Sequence, residues 1–192
     1  MDQTGAPEML LQAETSVLMV IDVQEKLCPV MEDPRLTLVN GARMMRGARA
    51  LGVPILVTEQ YPQGLGPTMF DLRELAQPGE TLSKLTFDAT GAPEILERLQ
   101  AYRDQGRDQV VIIGTEAHVC VLQSAFGVKA AGFRPFVVTD ACGSRRSESA
   151  VAAWRRLEAG GIALGIVEMV LFEWLGSKEN PKFREIMQSL IR

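Results

Sequence analysis

The sequence predicts a three-layer α/β domain: a central, mainly parallel sheet of about six strands with helices on both faces. Three observations predict it. Apolar runs of strand length alternate with amphipathic helical segments from Ser16 to Leu175. The inner runs, Ser16–Ile21 and Val110–Ile113, are apolar without alternation, as in strands buried on both faces. Glycine, proline and aspartate, the residues of turns and helix caps, stand at the breaks. With 192 residues, no internal repeat and no dividing linker, the chain reads as one domain over 1–192.

Residues 1–14 are polar apart from Met9-Leu10-Leu11 and read as an arm or edge covering. Ser16–Ile21 is the first strand and ends in Asp22. A carboxylate there stands at the rim of the ligand crevice of a parallel sheet; the plainer reading is a cap on the next turn. Asp33 and Pro34 start a helix as N-cap and first helical residue. Its apolar face is Leu38, Ala42, Met45, Ala48 and Leu51, and Gly52 ends it. Val53–Thr58 is the second strand, reached by a right-handed crossover.

Glu59–Phe70 is dense in glycine and proline and reads as a long ordered loop at a strand's C-terminal end, where binding residues gather. Thr81–Leu85 suits a small edge strand. It carries Lys84 between Leu82, Leu85 and Phe87, either a snorkelling lysine or an ammonium withdrawn from water and paired with a carboxylate. Thr90 and Pro93 start a helix with Ile95, Leu99 and Tyr102 inward, closed by Gly106.

Val110–Ile113 is followed by a break at Gly114 and a helix through Val121, Leu122 and Ala125. Cys120 falls at or just inside that helix's N-terminus, where free N–H groups and the dipole push a thiol towards thiolate. The opposing reading is a small, inert, buried hydrophobe. Pro135–Thr139 is the next strand, leading through Asp140 into a loop to Arg145. Ser147 begins a helix with Val151, Trp154 and Leu157 inward. Ile162–Ile166 is the last strand, Val170–Leu175 an amphipathic helix, and a short helix follows Pro181.

Composition removes several function classes. A net charge of −4 opposes nucleic acid or an acidic membrane as main partner. Three cysteines without repeated spacing suit a reducing, cytoplasmic compartment. The N-terminus lacks the basic start and apolar run of a signal peptide, and Glu168 and Glu173 interrupt the longest late apolar stretch. A single histidine, His118, excludes a histidine-rich zinc site. It precedes Cys120 by two positions, so the two side chains diverge on a helix and the base for Cys120 lies elsewhere.

Asp22, Lys84 and Cys120 thus sit at three strand ends or the loops after them. With Ile-Asp-x-Gln at 21–24, Ser-Lys at 83–84, Gly-x-x-x-x-x-Cys-Val at 114–121 and Asp-Ala-x-x-Ser-Arg at 140–145, the chain resembles the isochorismatase-like cysteine hydrolases, whose fold is Rossmann-like. The resemblance implies a catalytic triad of Asp22, Lys84 and Cys120. It also implies a cis peptide between Thr115 and Glu116, aiming the Glu116 N–H, alongside that of Cys120, at a developing oxyanion. The zinc-binding nicotinamidase branch carries Asp-x-His-Pro where this chain has Glu59-Gln60-Tyr61-Pro62, so neither metal nor other cofactor is expected. True isochorismatases need no nucleophilic cysteine, and Cys120 speaks against that activity. The Glu59–Pro62 and Gly64-Leu-Gly66 pattern is most similar to the YcaC-type branch, which implies a homo-oligomer. Substrate contacts are expected from Gln24, Tyr61, Phe87 and His118, with packing or turn roles as their alternatives. The expected activity is hydrolysis of a small amide or ureido C–N bond; the rival is a non-catalytic interaction or scaffold protein that keeps the fold.

Overall fold

Alternate residues of the first strand belong to opposite cores, and the whole architecture follows from this. In the computed structural model, which describes residues 10–191, β1 (Ser16–Ile21) is buried at every position. Leu18 and Val20 join one apolar cluster, Met19 and Ile21 the other. Such two-sided burial requires helices above and below. The first layer is α1 (Pro34–Ala50) and α7 (Val167–Leu175), with α8 (Phe183–Ile186) beside them. The second is α4 (Pro93–Arg103), α5 (Leu122–Ala130) and α6 (Ser147–Ala159). The segment read as a long loop holds a single-turn helix, α2 (Pro62–Leu65), and a second, α3 (Phe70–Arg73), begins at its last residue.

The other strands are β2 (Ile55–Gln60), β3 (Thr81–Lys84), β4 (Gln109–Thr115), β5 (Arg134–Gly143) and β6 (Ala163–Gly165). All neighbours pair in parallel, in the order β3-β2-β1-β4-β5-β6. The winding reverses between β1 and β4. That reversal opens a crevice at the strands' C-terminal ends, which is where this class of sheet binds its ligands. Residues 1–9 of the expected N-terminal arm lie outside the described part, as does residue 192 of the expected domain. Among the described residues no helix is long and apolar enough to cross a membrane.

Three local expectations need correction. The strand expected to end at Thr139 continues to Gly143, because Ile112 pairs with Val137 while Gly114 pairs with Cys142. The extra residues bulge, freeing the Asp140 carboxylate to accept the Val167 N–H at 2.9 Å and so cap α7. On α1, Ala42, Met45 and Ala48 are buried as expected and Leu38 and Leu51 pack half-buried against the core, but the buried face also takes in Thr37, Asn40, Gly41, Met44 and Gly47. Small residues take the inward positions there because Leu72 and Leu171 pack down on Gly41 and Gly47. On α6, Leu157 and the half-buried Trp154 pack inward as expected, but Val151 faces solvent and Ala153 takes its place in the core.

Gly114 is where β1 and β4 meet at the crevice. Its φ is +127°, and a Cβ there would stand 2.0 Å from the Ile21 carbonyl oxygen. Gly114→Ala is expected to cost about 3 kcal/mol or more from backbone strain and overpacking. A urea titration in which the variant matched the wild type would contradict this packing.

Candidate active site

Asp22 leaves β1 in the left-handed region, φ 50°, which a short polar side chain tolerates. Its backbone is held from both neighbouring strands: its N–H donates to Thr58 at 3.1 Å, and the Thr115 hydroxyl donates to its carbonyl at 2.6 Å. The side chain is wholly buried. The Thr58 hydroxyl donates to Oδ1 at 2.7 Å, and the Lys84 ammonium donates to Oδ2 at 2.6 Å. Burial pushes the Asp22 carboxyl above its ordinary value of 3.8, against the pull of Lys84, Thr58 and a hydrogen bond from Cys120.

Lys84 ends the edge strand β3, yet its residue is only 4% exposed. Its ammonium also donates to Gln60 Oε1 at 2.8 Å and to the Thr86 and Phe87 carbonyls at 3.1 and 3.4 Å. An edge-strand lysine is thereby turned inward, with every N–H engaged, rather than snorkelling to water. The withdrawn, carboxylate-paired reading is the one the geometry realises.

Cys120 follows β4 across a cis peptide bond between Thr115 and Glu116. It lies in a π-helical turn, Ala117–Val121, ahead of α5 rather than in the first turn of an α-helix. Such turns recur at functional sites. The residue is 5% exposed, and its thiol lies near enough for the Asp22 and Lys84 charges to act on it. Here the expected drift towards thiolate is reversed. Burial, the Asp22 charge and the hydrogen bond to Asp22 push the thiol up to about 12, against Lys84 and a hydrogen bond from the Glu116 backbone. At that value the Cys120 side chain rests as a thiol beside a carboxylate. Cys28 and Cys142 are likewise free and raised, to about 11 and 12, mainly by burial. Neither has Asp22 and Lys84 beside it.

The remaining candidates fall at different distances from this cluster. Gln24 is buried and spends its amide on the chain: Nε2 donates to the Gln60 and Gly66 carbonyls at 2.9 and 2.7 Å, and Oε1 accepts the Gln60 N–H at 2.8 Å. It holds the turn, and the expected substrate contact is not supported. Tyr61 is half exposed, with φ 38°, an outlying conformation for an aromatic residue. With Lys84, Leu85 and Pro93 it lines a cavity of about 550 Å³. Phe87 is 54% exposed, and its carbonyl reaches the cluster. His118 turns away from Cys120; its Nδ1 lies 3.0 Å from the Ser144 hydroxyl, and it lines a separate cavity of about 340 Å³ with Arg145, Arg146 and Ser149. The Glu116 side chain is tied to Arg145 at 2.8 Å. Glu59 accepts both the N–H and the hydroxyl of Thr68 at 2.7 Å, so its carboxylate secures the loop.

Thr58 and Gln60 were missed in the sequence. Thr58 pairs with Ile21 in the sheet, so a polar residue ending an apolar run beside the Asp22 strand was the available signal. Gln60 stands opposite Lys84 in the β2–β3 register, a relation visible only once the strands are aligned.

The buried Asp22, Lys84 and Cys120 stand at the switch point of a doubly wound, Rossmann-like parallel α/β sheet. A sequence model of the isochorismatase domain matches residues 16–167, and the chain belongs to that family. Isochorismatase domain-containing protein 2 from Bos taurus is 38% identical, the match covering 93% of this chain and 83% of that protein. Isochorismatase domain-containing protein 1 from Danio rerio is 36% identical over 95% of this chain but only 62% of its own length, and the Salmo salar protein of the same name is matched over 61%. The chain therefore spans about three fifths of those two relatives. Among solved structures, the MAR1 ribonuclease from Caenorhabditis elegans superposes with TM-score 0.87 at 32% identity, covering 95% of this chain and 92% of that one. YcaC from Pseudomonas aeruginosa, solved with hexane-2,5-diol and covalent acrylamide, gives 0.89 at 24%, covering 97% and 94%. The Escherichia coli YcaC product, described as an octameric hydrolase of unknown specificity, gives 0.89 at 22%, covering 97% and 93%. At those last two identities the likeness is one of fold.

Proposed function

We propose that this chain is a cofactor-independent cysteine hydrolase that cleaves a small amide or ureido C–N bond through a thioester on Cys120. One observation carries the reading: the Asp22 carboxylate and Lys84 ammonium form a sealed ion pair at 2.6 Å, with the buried Cys120 near enough for both charges to act on its thiol. Proton transfer from thiol to Asp22 moves the negative charge from carboxylate to sulfur while the Lys84 charge stays beside both. Desolvation raises both acids, and the raised Asp22 carboxylate is the better proton acceptor for it.

Sγ then bonds to the carbonyl carbon, and the oxyanion is received by the N–H groups of Glu116 and Cys120. The C–N bond breaks as Asp22 returns the proton to the leaving nitrogen. Water, deprotonated by Asp22, displaces Sγ from the acyl carbon, and the thiol recovers its proton. The free thiol suits the reducing cytoplasm, and the octameric state stated for the Escherichia coli neighbour favours a homo-oligomer here too. The non-catalytic rival has less support, because a scaffold gains nothing from a buried ion pair sharing its carboxylate with a thiol.

The test is alkylation by acrylamide or iodoacetamide with peptide mapping. Cys120 is expected to react well before Cys28 and Cys142, although its thiol is no more acidic than theirs, because only Cys120 has a base. Its rate should fall as pH drops through the Asp22 value, since only ionised Asp22 accepts the proton. That limb should lie above the ordinary carboxylate range. A Cys120 that reacts last of the three would sink the proposal. Ammonia release from a panel of short amides separates enzyme from scaffold.

A further inference from the structure

We propose that Gln60 is a positioning residue for the hydrolytic site, a neutral acceptor that holds the Lys84 ammonium between itself and Asp22; this rests on the Asp22–Lys84–Cys120 reading. Gln60 Oε1 accepts from Lys84 Nζ at 2.8 Å, and Gln60 Nε2 donates to the Leu85 carbonyl at 2.8 Å. Only one amide orientation satisfies both contacts, since an ammonium offers donors alone and a carbonyl accepts alone. The Gln60 backbone is fixed as well. Its N–H donates to Gln24 Oε1, and its carbonyl accepts from Gln24 Nε2. The acceptor that meets Lys84 is therefore held at both ends, by the edge strand and by the turn after β1.

The neutrality of that acceptor matters. Lys84 has three N–H groups, and Asp22, Gln60 and the Thr86 and Phe87 carbonyls share them. Asp22 is the only carboxylate among them. With one ammonium and one carboxylate, the cluster stays neutral as the proton passes from Cys120 to Asp22, and the cation acts undiluted on the new thiolate. A carboxylate at position 60 would compete for the ammonium and act as a like charge on Asp22, holding the shared proton there and opposing negative sulfur.

The experiment compares wild type with Gln60→Glu and Gln60→Met in the pH dependence of Cys120 alkylation by acrylamide, with thermal melting as the fold control. Gln60→Glu should move the acid limb up by about one pH unit and slow alkylation about tenfold below it. Gln60→Met should slow alkylation without raising the limb, because it removes the acceptor and adds no charge. Both variants melting and alkylating as wild type, limb unmoved, would overturn the role of Gln60 while leaving the triad intact. A wild-type Cys120 that does not alkylate overturns both readings. Should neither variant fold, neutron diffraction on the wild-type chain decides. One ammonium deuteron directed at Gln60 Oε1 is expected; an amide turned with Nε2 towards Lys84 refutes the proposal.

Discussion

Replacing Lys84 with methionine is expected to destabilise the fold by about 3–5 kcal/mol, because it leaves the Asp22 carboxylate buried without its cation. For a chain of this length that corresponds to a fall of roughly 10 °C in melting temperature. The pair at 2.6 Å has both side chains sealed from solvent. Solvent therefore does not screen the loss as it would for the exposed pairs Arg134–Asp108 or Lys182–Glu185. The variant should also acquire a pH signature. Without Lys84, desolvation acts on Asp22 with less opposition, so its folded value rises further above the unfolded one. A group raised on folding contributes stability that is complete below its unfolded value and is lost as pH rises through the folded value. The variant's stability should therefore decline with pH from about 4 upwards, by up to about 1.4 kcal/mol per pH unit. Adding Asp22→Asn should cost less than the sum of the single changes, and the urea midpoints of that double-mutant cycle measure the coupling. A single-variant cost below about 1 kcal/mol would show that the pair is solvated in solution.

The residues that carry this pair were legible for a simple reason. A continuous apolar run that ends in an aspartate marks both a two-sided strand and its crevice end, so Ser16–Ile21 and Asp22 could be read together. Cys120, after a strand–glycine break, and Lys84, among apolar neighbours, each stood beside a plainer alternative, and the family resemblance chose between them. The register between segments was hidden. Cys142 and Gly143 look like turn residues, yet they pair with Gly114 and Thr115 because β5 bulges around Asp140. Gln60 looked like part of a failed metal motif; its partnership with Lys84 exists only because β2 and β3 align those two residues. The charge state of Cys120 was misjudged for a related reason. Sequence position suggests a helix terminus that favours thiolate, but packing adds burial and a neighbouring carboxylate, which outweigh it. Long-range placement decided each of these points.

Cys120→Ala is expected to abolish covalent labelling at the site and to lower hydrolytic turnover by about 10⁴-fold or more, the scale lost when a nucleophile that acts with a base is removed. The fold should survive. The substitution takes away one sulfur from a buried position and leaves the Asp22–Lys84 pair, Thr58 and the cis Thr115–Glu116 segment in place, at a cost of about 1 kcal/mol. Cys120→Ser separates geometry from acidity. Its hydroxyl occupies the same place beside Asp22 but holds its proton far more tightly than a thiol, so the serine variant should bind substrate and fail to turn over. Lys84→Met behaves differently, losing stability and activity together. A Cys120→Ala chain that still released ammonia at the wild-type rate would move the chemistry off the thiol, leaving Asp22 and Lys84 as a structural pair beneath an unrelated site.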